Sequence, residues 1–485
     1  MKATYIGIMA LAVVAVMLTA AMGGAVSAAS APSSADRIRL ETGHTNEWNG
    51  GDYVAINMTD GVNFAWFGVI YGTQEHPAPI TLVSTTLRYL GGAEVVGPNG
   101  NTIANQVPIP ILTAFGQSLF ALLEFDDVGY NVPLLGNYGA GNGLFDFSGP
   151  NLWSGVGSSE PVYKYVDLNR SWTLSPITEH DSGVNKSFEF SLYALNVTYA
   201  KVWDPVAKSY RAGTPSDGVV EKIEFRFHID ATQETVTAAV PFYRVTVNDG
   251  HVVGSEQIAP RNFTANHVDC GIKYDHIIEG WDPYPGAVSP RLMLENVVAF
   301  GVFIPKAVEE WYNAQFVNQH IPNAAHIDYV TANGSAEVAD QGQLPAKSIK
   351  LLSNTQISSM DNWARVGSLT WVSNVTVDGK NESMYYQIQA GGKDILKGEN
   401  GGKVRALLIL GGFIYPMGTN ITHDPQFTGE AFQLNLNEGL KALFFVLIVG
   451  VVFIAACMIT ALFLIRRQNR RTNEKFDYRP PPGFR

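Results

Sequence analysis

Four side chains capable of acid–base chemistry lie close together in the stretch KYDHIIEGWDPYPG, namely Asp275, His276, Glu279 and Asp282. General acid–base catalysis requires such groups within hydrogen-bond reach of the proton they transfer. The alternation of a β-strand, however, places His276 on one face and Asp275, Glu279 and Trp281 on the other. The segment DPYPG has the composition of a tight turn. The stretch therefore predicts a strand that runs into a turn, and we assign no catalytic residue.

A second group of polar residues brackets a loop rich in glycine and asparagine. Its members are Glu124, Asp126, Asp127, Asn142 and Asp146. Calcium is bound by about six to eight oxygen ligands, which carboxylates and asparagine carbonyls on a loop supply. The spacing does not match an EF-hand loop, because a long insertion separates the two halves. Two interpretations stay open, a calcium site and a hairpin whose polar ends face solvent.

The pair His423–Asp424 and the single Cys270 are two further candidate sites, and each also has an ordinary structural explanation. His423 and Asp424 lie in GGFIYPMGTNITHDPQFTG, where they could bind a ligand or an ion, but HDP is also a common turn sequence. Cys270 is one of two cysteines and precedes the apolar run that holds the other. A lone thiol is either a nucleophile with a partner base or a buried apolar group. No nucleophile elbow, P-loop, dinucleotide fingerprint or zinc-protease motif is present.

Two apolar runs predict how the chain crosses the membrane. Residues 1–29 have the layout of a signal peptide, with Lys2, an apolar run and the small residues VSAAS, although an uncleaved anchor is the alternative. Residues 442–465 contain 24 residues without a charge and would span about 36 Å as a helix, enough to cross a bilayer. The arginine-rich residues 466–485 follow directly and predict a cytoplasmic C-terminus. We therefore expect a single-pass membrane protein with an extracellular ectodomain.

The charge of the chain limits its partners. The net charge is −11, and removing +1 for the leader and +5 for the tail leaves −17 for the ectodomain. An acidic ectodomain disfavours nucleic acid as a partner, whereas the basic tail favours the anionic membrane surface. The sequence also predicts glycosylation at nine N-x-S/T sequons, all in the ectodomain: Asn57, Asn169, Asn185, Asn196, Asn262, Asn333, Asn374, Asn381 and Asn420.

Period-2 patterns dominate the ectodomain and predict a mainly β fold. In KIEFRFHID, apolar residues from Ile223 to Ile229 alternate with polar ones, as in a half-buried antiparallel strand. PKAVEEWYNAQFVNQH is the best helix candidate, and IPILTAFGQSLFALLEF is ambiguous between helix and strand. A composition break predicts two β-rich domains, residues 37–155 and 156–440. We expect antiparallel β-sandwiches, either two or one large one, before a transmembrane helix.

A set of strings resembles a known group of proteins. LLEFDD…NGLFDF, SWTLS, FRFHID, YDHIIEGWD, WVSNVTVDG and GGFIYPMGTNITHDP, between the leader and the apolar C-terminal run, resemble uncharacterised archaeal membrane-anchored surface proteins that are rich in β-structure. The resemblance covers most of residues 45–430 and implies no site residue, because the group has no assigned activity. The acidic loop of the group is shorter and more calcium-like than VGYNVPLLGNYGAG, which weighs against a calcium site here.

The sequence as a whole indicates a type I single-pass cell-surface glycoprotein. Its ectodomain would act without catalysis as a binding or structural module of the envelope, with glycans or other envelope proteins as partners. Trp153, Trp281, Tyr284 and Trp311 are aromatic residues that could stack on sugars or pack inside the fold. The alternative is a surface enzyme that acts on glycans or peptides, which would need two convergent carboxylates or a His–carboxylate pair in a concave site.

Overall fold

The computed structural model describes the chain in segments. The described residues are 38–45, 51–59, 64–128, 130–132, 136–138, 143, 145, 160–182, 185–249, 251–305, 326–331, 334–337, 344–352, 365–393 and 402–434. The predicted signal peptide, the predicted membrane span, the tail and all but the first residue of PKAVEEWYNAQFVNQH lie outside them. Within the described part, no helix is both long and apolar enough to span a membrane.

The described residues form strands almost throughout, with one short 3-10 helix at Pro215–Asp217. In chain order the strands are β1 (Ile38–Thr45), β2 (Gly51–Thr59), β3 (Phe64–Tyr71), β4 (Ile80–Val96), β5 (Thr102–Asp126), β6 (Tyr130–Val132), β7 (Gly136–Tyr138), β8 (Val162–Asp167), β9 (Thr173–Leu174), β10 (Thr178–Asp181), β11 (Asn185–Thr198), β12 (Lys201–Asp204), β13 (Ser209–Arg211), β14 (Val219–Asn248), β15 (His251–Glu279), β16 (Pro290–Pro305), β17 (His326–Thr331), β18 (Gly334–Glu337), β19 (Leu344–Leu352), β20 (Arg365–Trp371), β21 (Asn374–Val377), β22 (Lys380–Ser383), β23 (Tyr385–Lys393), β24 (Gly402–Pro416), β25 (Ile421–His423) and β26 (Pro425–Leu434).

The strands form two antiparallel layers, which confirms the predicted mainly β class. The first layer has the order β1–β2–β3–β4–β5–β16–β24–β23. The second has the order β10–β11–β14–β15–β26–β20–β19–β17–β18. The layers are joined where β4 pairs in parallel with β14 and where β19 pairs with β23. Strands before and after the predicted domain boundary therefore pair with each other, as β5 does with β8 and β16.

The core lies between the two layers and follows the alternation of the sequence. Ile223 and Phe225 of β14 are buried, as are the next two apolar residues of KIEFRFHID. Across the core, the rings of Phe115 in β5 and Phe427 in β26 stack with centroids 4.4 Å apart. Gly429 of β26 lies so close to the first layer that a Cβ atom there would be 2.3 Å from the ring of Phe67. Burial of such apolar area is the main stabilising term in the described part of the fold, where Cys270 is free and forms no disulfide.

Several strands are unusually long. β14 and β15 contain 30 and 29 residues and pair along almost their whole length. At about 3.3 Å per residue, this hairpin extends for roughly 95 Å. The ambiguous segment IPILTAFGQSLFALLEF belongs to β5, a strand of 25 residues. The segment is a strand because β4 and β16 pair with it on its two sides. This tertiary pairing determines its conformation, which the local sequence pattern leaves ambiguous.

Residues 280–289 connect β15 to β16, and we name them the apical loop. The C-terminal end of β5 and the start of β8 lie beside this loop, since Asp126 is opposite Pro290 and Phe125 is opposite Val162. β26 begins near the same end and runs away from it, because Lys273 pairs with its second residue and Ala265 with its last. From the end of β15 to Ala265 the distance along the strand is about 45 Å.

Candidate functional site at the apical loop

The stretch KYDHIIEGWDPYPG forms the end of β15 and the first half of the apical loop. Tyr274, His276 and Ile278 are buried on the core face, which confirms the predicted division of the polar groups between two faces. On the outer face, Asp275 lies beside Asp424, and burial together with that neighbouring charge raises the pKa of Asp275. On the same face, Lys273 Nζ is 3.0 Å from the Asp424 carboxylate.

The prediction that Trp281 shares a face with Glu279 is wrong. The strand ends at Glu279, whose carboxylate is 2.8 Å from Lys222 Nζ at the surface. Gly280 then has a φ of +71°, a conformation that glycine adopts without strain, and a Cβ atom there would also lie 2.2 Å from Glu221. This turn sends Trp281 into the core, where it is 1% exposed.

Glu124 at the end of β5 holds the first half of the apical loop. Its carboxylate accepts hydrogen bonds from Trp281 Nε1 at 3.1 Å and from the backbone N–H of Tyr284 at 2.6 Å. The carboxyl group is fully buried. Burial raises the pKa of Glu124, although the two hydrogen bonds and the charge of Lys164 act in the opposite direction.

The next two carboxylates hold further backbone segments in the same way. Asp126 accepts hydrogen bonds from the backbone N–H groups of Val288 and Ser289, and from the Tyr163 hydroxyl at 3.0 Å. Asp127 accepts one from the backbone N–H of Gly143 at 2.8 Å. The acidic run EFDD therefore supplies a hydrogen-bond acceptor to each of several loop segments that would otherwise contain unpaired N–H groups.

This arrangement bears on the calcium hypothesis without deciding it. Glu124, Asp126 and Asp127 are directed at different backbone groups, and in the described part of the chain no three His, Cys, Asp or Glu side chains are grouped to hold a metal ion. Asn142 and Asp146 lie outside the described residues. A calcium site in this loop stays a prediction.

Lys164 of β8 is a buried lysine at the base of the apical loop. Its side chain is 4% exposed, and its Nζ atom donates to the backbone carbonyl of Asp282 at 2.5 Å and to the Asp282 carboxylate at 3.0 Å. The Nζ atom also lies 4.6 Å from the centre of the Tyr199 ring. The sequence did not point to Lys164, because its only signal is a lysine in an otherwise alternating strand, VYKYVD.

The outer surface of the apical loop carries a pair of stacked aromatic rings. Tyr163 and Tyr284 lie with ring centroids 4.3 Å apart and planes 8° from parallel, and both are half-exposed. Val288 in the second half of the loop is 82% exposed. Of the four aromatic residues singled out for sugar stacking, Tyr284 lies at the surface and Trp281 in the core. Trp153 and Trp311 lie outside the described residues.

A hydrogen-bonded chain of three buried rings crosses the core below the loop. The Tyr415 hydroxyl lies 2.8 Å from His276 Nδ1 and 3.3 Å from His423 Nδ1, and His423 Nε2 lies 3.0 Å from the Val372 carbonyl oxygen. Because a carbonyl only accepts, His423 carries its proton on Nε2 and accepts from Tyr415 at Nδ1. His276 must then donate from Nδ1, which leaves its buried Nε2 without a partner among the described residues. His423 is thus a core residue, and neither histidine reaches a carboxylate as a catalytic pair would.

Both histidines should make the protein sensitive to acid. Burial lowers the pKa of His423 from 6.5 to about 4 and that of His276 well below its usual value. The unfolded chain therefore binds protons that the folded state does not bind. The free energy of unfolding falls as the pH is lowered from 6.5 towards 4. For His423 the loss amounts to about 3 kcal/mol. We expect His423→Gln to flatten the dependence of the unfolding free energy on pH in this window.

The control for this measurement is His180→Gln, which changes an exposed histidine. Its profile of unfolding free energy against pH should be parallel to that of the wild type. If His423→Gln and the wild type also gave parallel profiles between pH 4 and 6.5, the assignment of His423 as a neutral core residue would be wrong.

The remaining candidate residues are placed as follows. Cys270 is buried, and burial followed by the charges of two nearby aspartates raises its pKa well above the usual value, so its thiol is an apolar core group. Asn57 is half-buried, and its Nδ2 donates to Glu41. Seven sequon asparagines are exposed, namely Asn169, Asn185, Asn196, Asn262, Asn374, Asn381 and Asn420. Asn333 lies outside the described residues, and which sequons are occupied stays a prediction.

One more buried carboxyl group lies apart from the apical loop. Glu295 of β16 is 1% exposed, and neither of its oxygens has a hydrogen-bond partner among the described residues. The residues opposite it are Ala121 and Gly412, which supply no charge. Burial raises its pKa from 4.5 to about 8, so that at neutral pH the folded protein holds it mainly as the neutral acid.

Comparisons with known proteins identified no family for this chain. No protein-family model matches the chain, and the search of curated proteins gave no match.

Proposed function

We propose that the protein is a type I single-pass cell-surface glycoprotein whose ectodomain is a non-catalytic binding module of the envelope. The apical loop, with the stacked rings of Tyr163 and Tyr284, is its binding surface. Glycans of the envelope are the ligand class that this surface fits best, because the flat apolar faces of sugars pack on exposed aromatic rings that also carry hydroxyl groups.

The direction of the last strand supports this placement. β26 runs away from the apical loop and ends at Leu434, eight residues before the apolar run that begins at Ala442. A chain that enters a membrane at that run leaves the apical loop on the side of the ectodomain that faces away from the membrane. The loop is then the part of the protein that other envelope components meet first.

The rigidity of the loop also supports a binding role. Glu124 and Asp126 fix its backbone through N–H groups at both halves of the loop. The two tyrosine rings are therefore held in position before a ligand arrives, which lowers the entropy lost on binding. The Tyr163 hydroxyl is bound to Asp126, which fixes the orientation of its ring. The exposed sequons agree with a surface glycoprotein.

The binding role predicts that Tyr284→Ala loses affinity for glycans. The full-length protein in detergent micelles is applied to a glycan array, and a retained glycan is titrated against the variants. Loss of one stacking face should weaken binding about tenfold, or ~1.4 kcal/mol. Tyr193→Ala is the matched control, because Tyr193 is a half-buried tyrosine of β11 away from the loop. Retention of no glycan by the wild type, or equal affinity of Tyr284→Ala, would contradict the proposal.

The alternative is a surface enzyme acting on glycans or peptides, and one observation favours it. Asp275 and Asp424 are adjacent carboxyl groups, and the pKa of Asp275 is raised. They lie on the outer face of the second layer, where Lys273 Nζ is 3.0 Å from the Asp424 carboxylate. Release of soluble products from a retained glycan by the wild type, and not by Asp275→Asn, would support this alternative over a binding module.

A further inference from the structure

The buried Lys164 at the base of the apical loop differs from the lysine of an ordinary ion pair, because it contacts both the carboxylate and the backbone carbonyl of one aspartate. A buried ammonium group is costly unless it is well paired, and lysine is rarely found at 4% exposure. The only carboxylate within ion-pair distance of Nζ among the described residues is that of Asp282, at 3.0 Å. The backbone carbonyl of the same aspartate also accepts from Nζ, which fixes the amine beside this one side chain.

A third polar group completes the arrangement. Glu124 lies directly opposite Lys164 in the β5–β8 pair, so the two side chains are neighbours on one face. Lys164 and Asp282 are both close enough to change the pKa of Glu124, and the net effect of burial is to raise that pKa. Glu124 is thus a buried carboxyl group close to an amine and a carboxyl group that touch each other.

We propose that Lys164 and Asp282 become joined by an amide bond between Nζ and Cγ, with Glu124 as the group that transfers the proton. The reaction starts from the neutral amine and the neutral acid, which exchange of one proton produces from the ion pair. Nζ attacks Cγ, and the N–C bond forms. Glu124 accepts a proton from the nitrogen and delivers one to a carboxyl oxygen, whose bond to Cγ then breaks. One water molecule leaves, Glu124 is regenerated, and no oxidant or further reactant is needed.

The surroundings of the three residues suit this reaction. The fold holds the amine and the carboxyl group in contact, which replaces a bimolecular encounter by an intramolecular step. The Tyr199 ring lies 4.6 Å from Nζ, and Trp281 Nε1 donates to Glu124, so that aromatic side chains lie against both the amine and the carboxyl group that transfers the proton. The Asp282 side chain is 61% exposed, which gives the released water a way out. Gly218 lies against it, where a Cβ atom would be 2.9 Å from Oδ2.

The experiment is peptide mapping of the full-length protein extracted from membranes. The protein is denatured and digested, and mass spectrometry searches for a branched peptide that contains both Lys164 and Asp282 and is lighter than its two parts by one water. We expect most of the protein to yield this branched peptide. Recovery of the Lys164 and Asp282 peptides only as separate linear species would overturn the proposal.

Three variants and one internal control separate the cross-link from a simple ion pair. Asp282→Ala and Lys164→Arg should yield only linear peptides. Glu124→Gln should remain mostly unlinked while its far-ultraviolet circular dichroism stays that of the wild type, and full linkage in this variant would overturn the role of Glu124. The internal control is the surface pair Lys222–Glu279, whose atoms are 2.8 Å apart, and it should show no linkage. Linkage there at the same level would show that proximity alone accounts for the bond.

Discussion

Replacing Glu295 with glutamine should stabilise the protein increasingly as the pH rises from 4.5 to 8, by about 5 kcal/mol at the upper end. The pKa of this carboxyl group is 4.5 in an unfolded chain and about 8 in the folded protein. Its stabilising contribution is fully present below pH 4.5, where both states hold the proton. It is lost as the pH rises towards 8, because only the unfolded chain releases the proton there. Glutamine has nearly the same shape and no charge to bury.

The measurement is the unfolding free energy of the wild type and Glu295→Gln in denaturant at several pH values. The difference between the two proteins should grow by about 1.4 kcal/mol per pH unit within this window. Glu75→Gln is the control, because Glu75 is exposed, and its profile should follow that of the wild type. Parallel profiles for the wild type and Glu295→Gln would mean that Glu295 has a charged or hydrogen-bonding partner in the folded state.

Trp281→Ala should lower the free energy of unfolding by about 4 kcal/mol. The side chain is almost wholly buried and packs edge-on against the Tyr199 ring at 5.3 Å. Its removal leaves a cavity in the core and also leaves a Glu124 oxygen without its indole donor. Both effects act at the base of the apical loop, so the loop should loosen together with the core.

Denaturant unfolding of Trp281→Ala and Trp281→Phe distinguishes these two effects. Phenylalanine retains most of the apolar volume and removes only the N–H donor, so its cost should be about 1 to 2 kcal/mol. A cost below 2 kcal/mol for the alanine variant would contradict the placement of Trp281 in the core.

The regular part of the fold could be predicted from local pattern. The alternation in KIEFRFHID predicted the buried residues of β14. The hairpin between β21 and β22 has an equally local origin, the Asp–Gly sequence at its turn. That hairpin turns at Asp378 and Gly379, both with positive φ. In both cases neighbours in the chain determine the structure, because the period of a strand and the chemistry of a turn are local.

The candidate site could not be predicted in the same way. Glu124 bonds Trp281 and Tyr284, which are 157 and 160 positions away in the chain. A carboxylate that accepts a distant backbone N–H has the same sequence signature as one that binds a metal ion. The turn at Gly280 was missed for a related reason, because nothing in strand alternation indicates that a left-handed glycine reverses the side on which Trp281 lies.

The position of β26 has a consequence for how the fold bears mechanical load. This strand is bonded to β15 on one side and to β20 on the other, antiparallel to both. Hydrogen bonds between antiparallel strands lie perpendicular to the strand axis. A force on the chain beyond Leu434, directed along that axis, loads the hydrogen bonds of both ladders in shear and all at once. An edge strand that is peeled from one end instead loses its hydrogen bonds one after another. The last of the described strands is therefore held so that it resists a force applied along its axis.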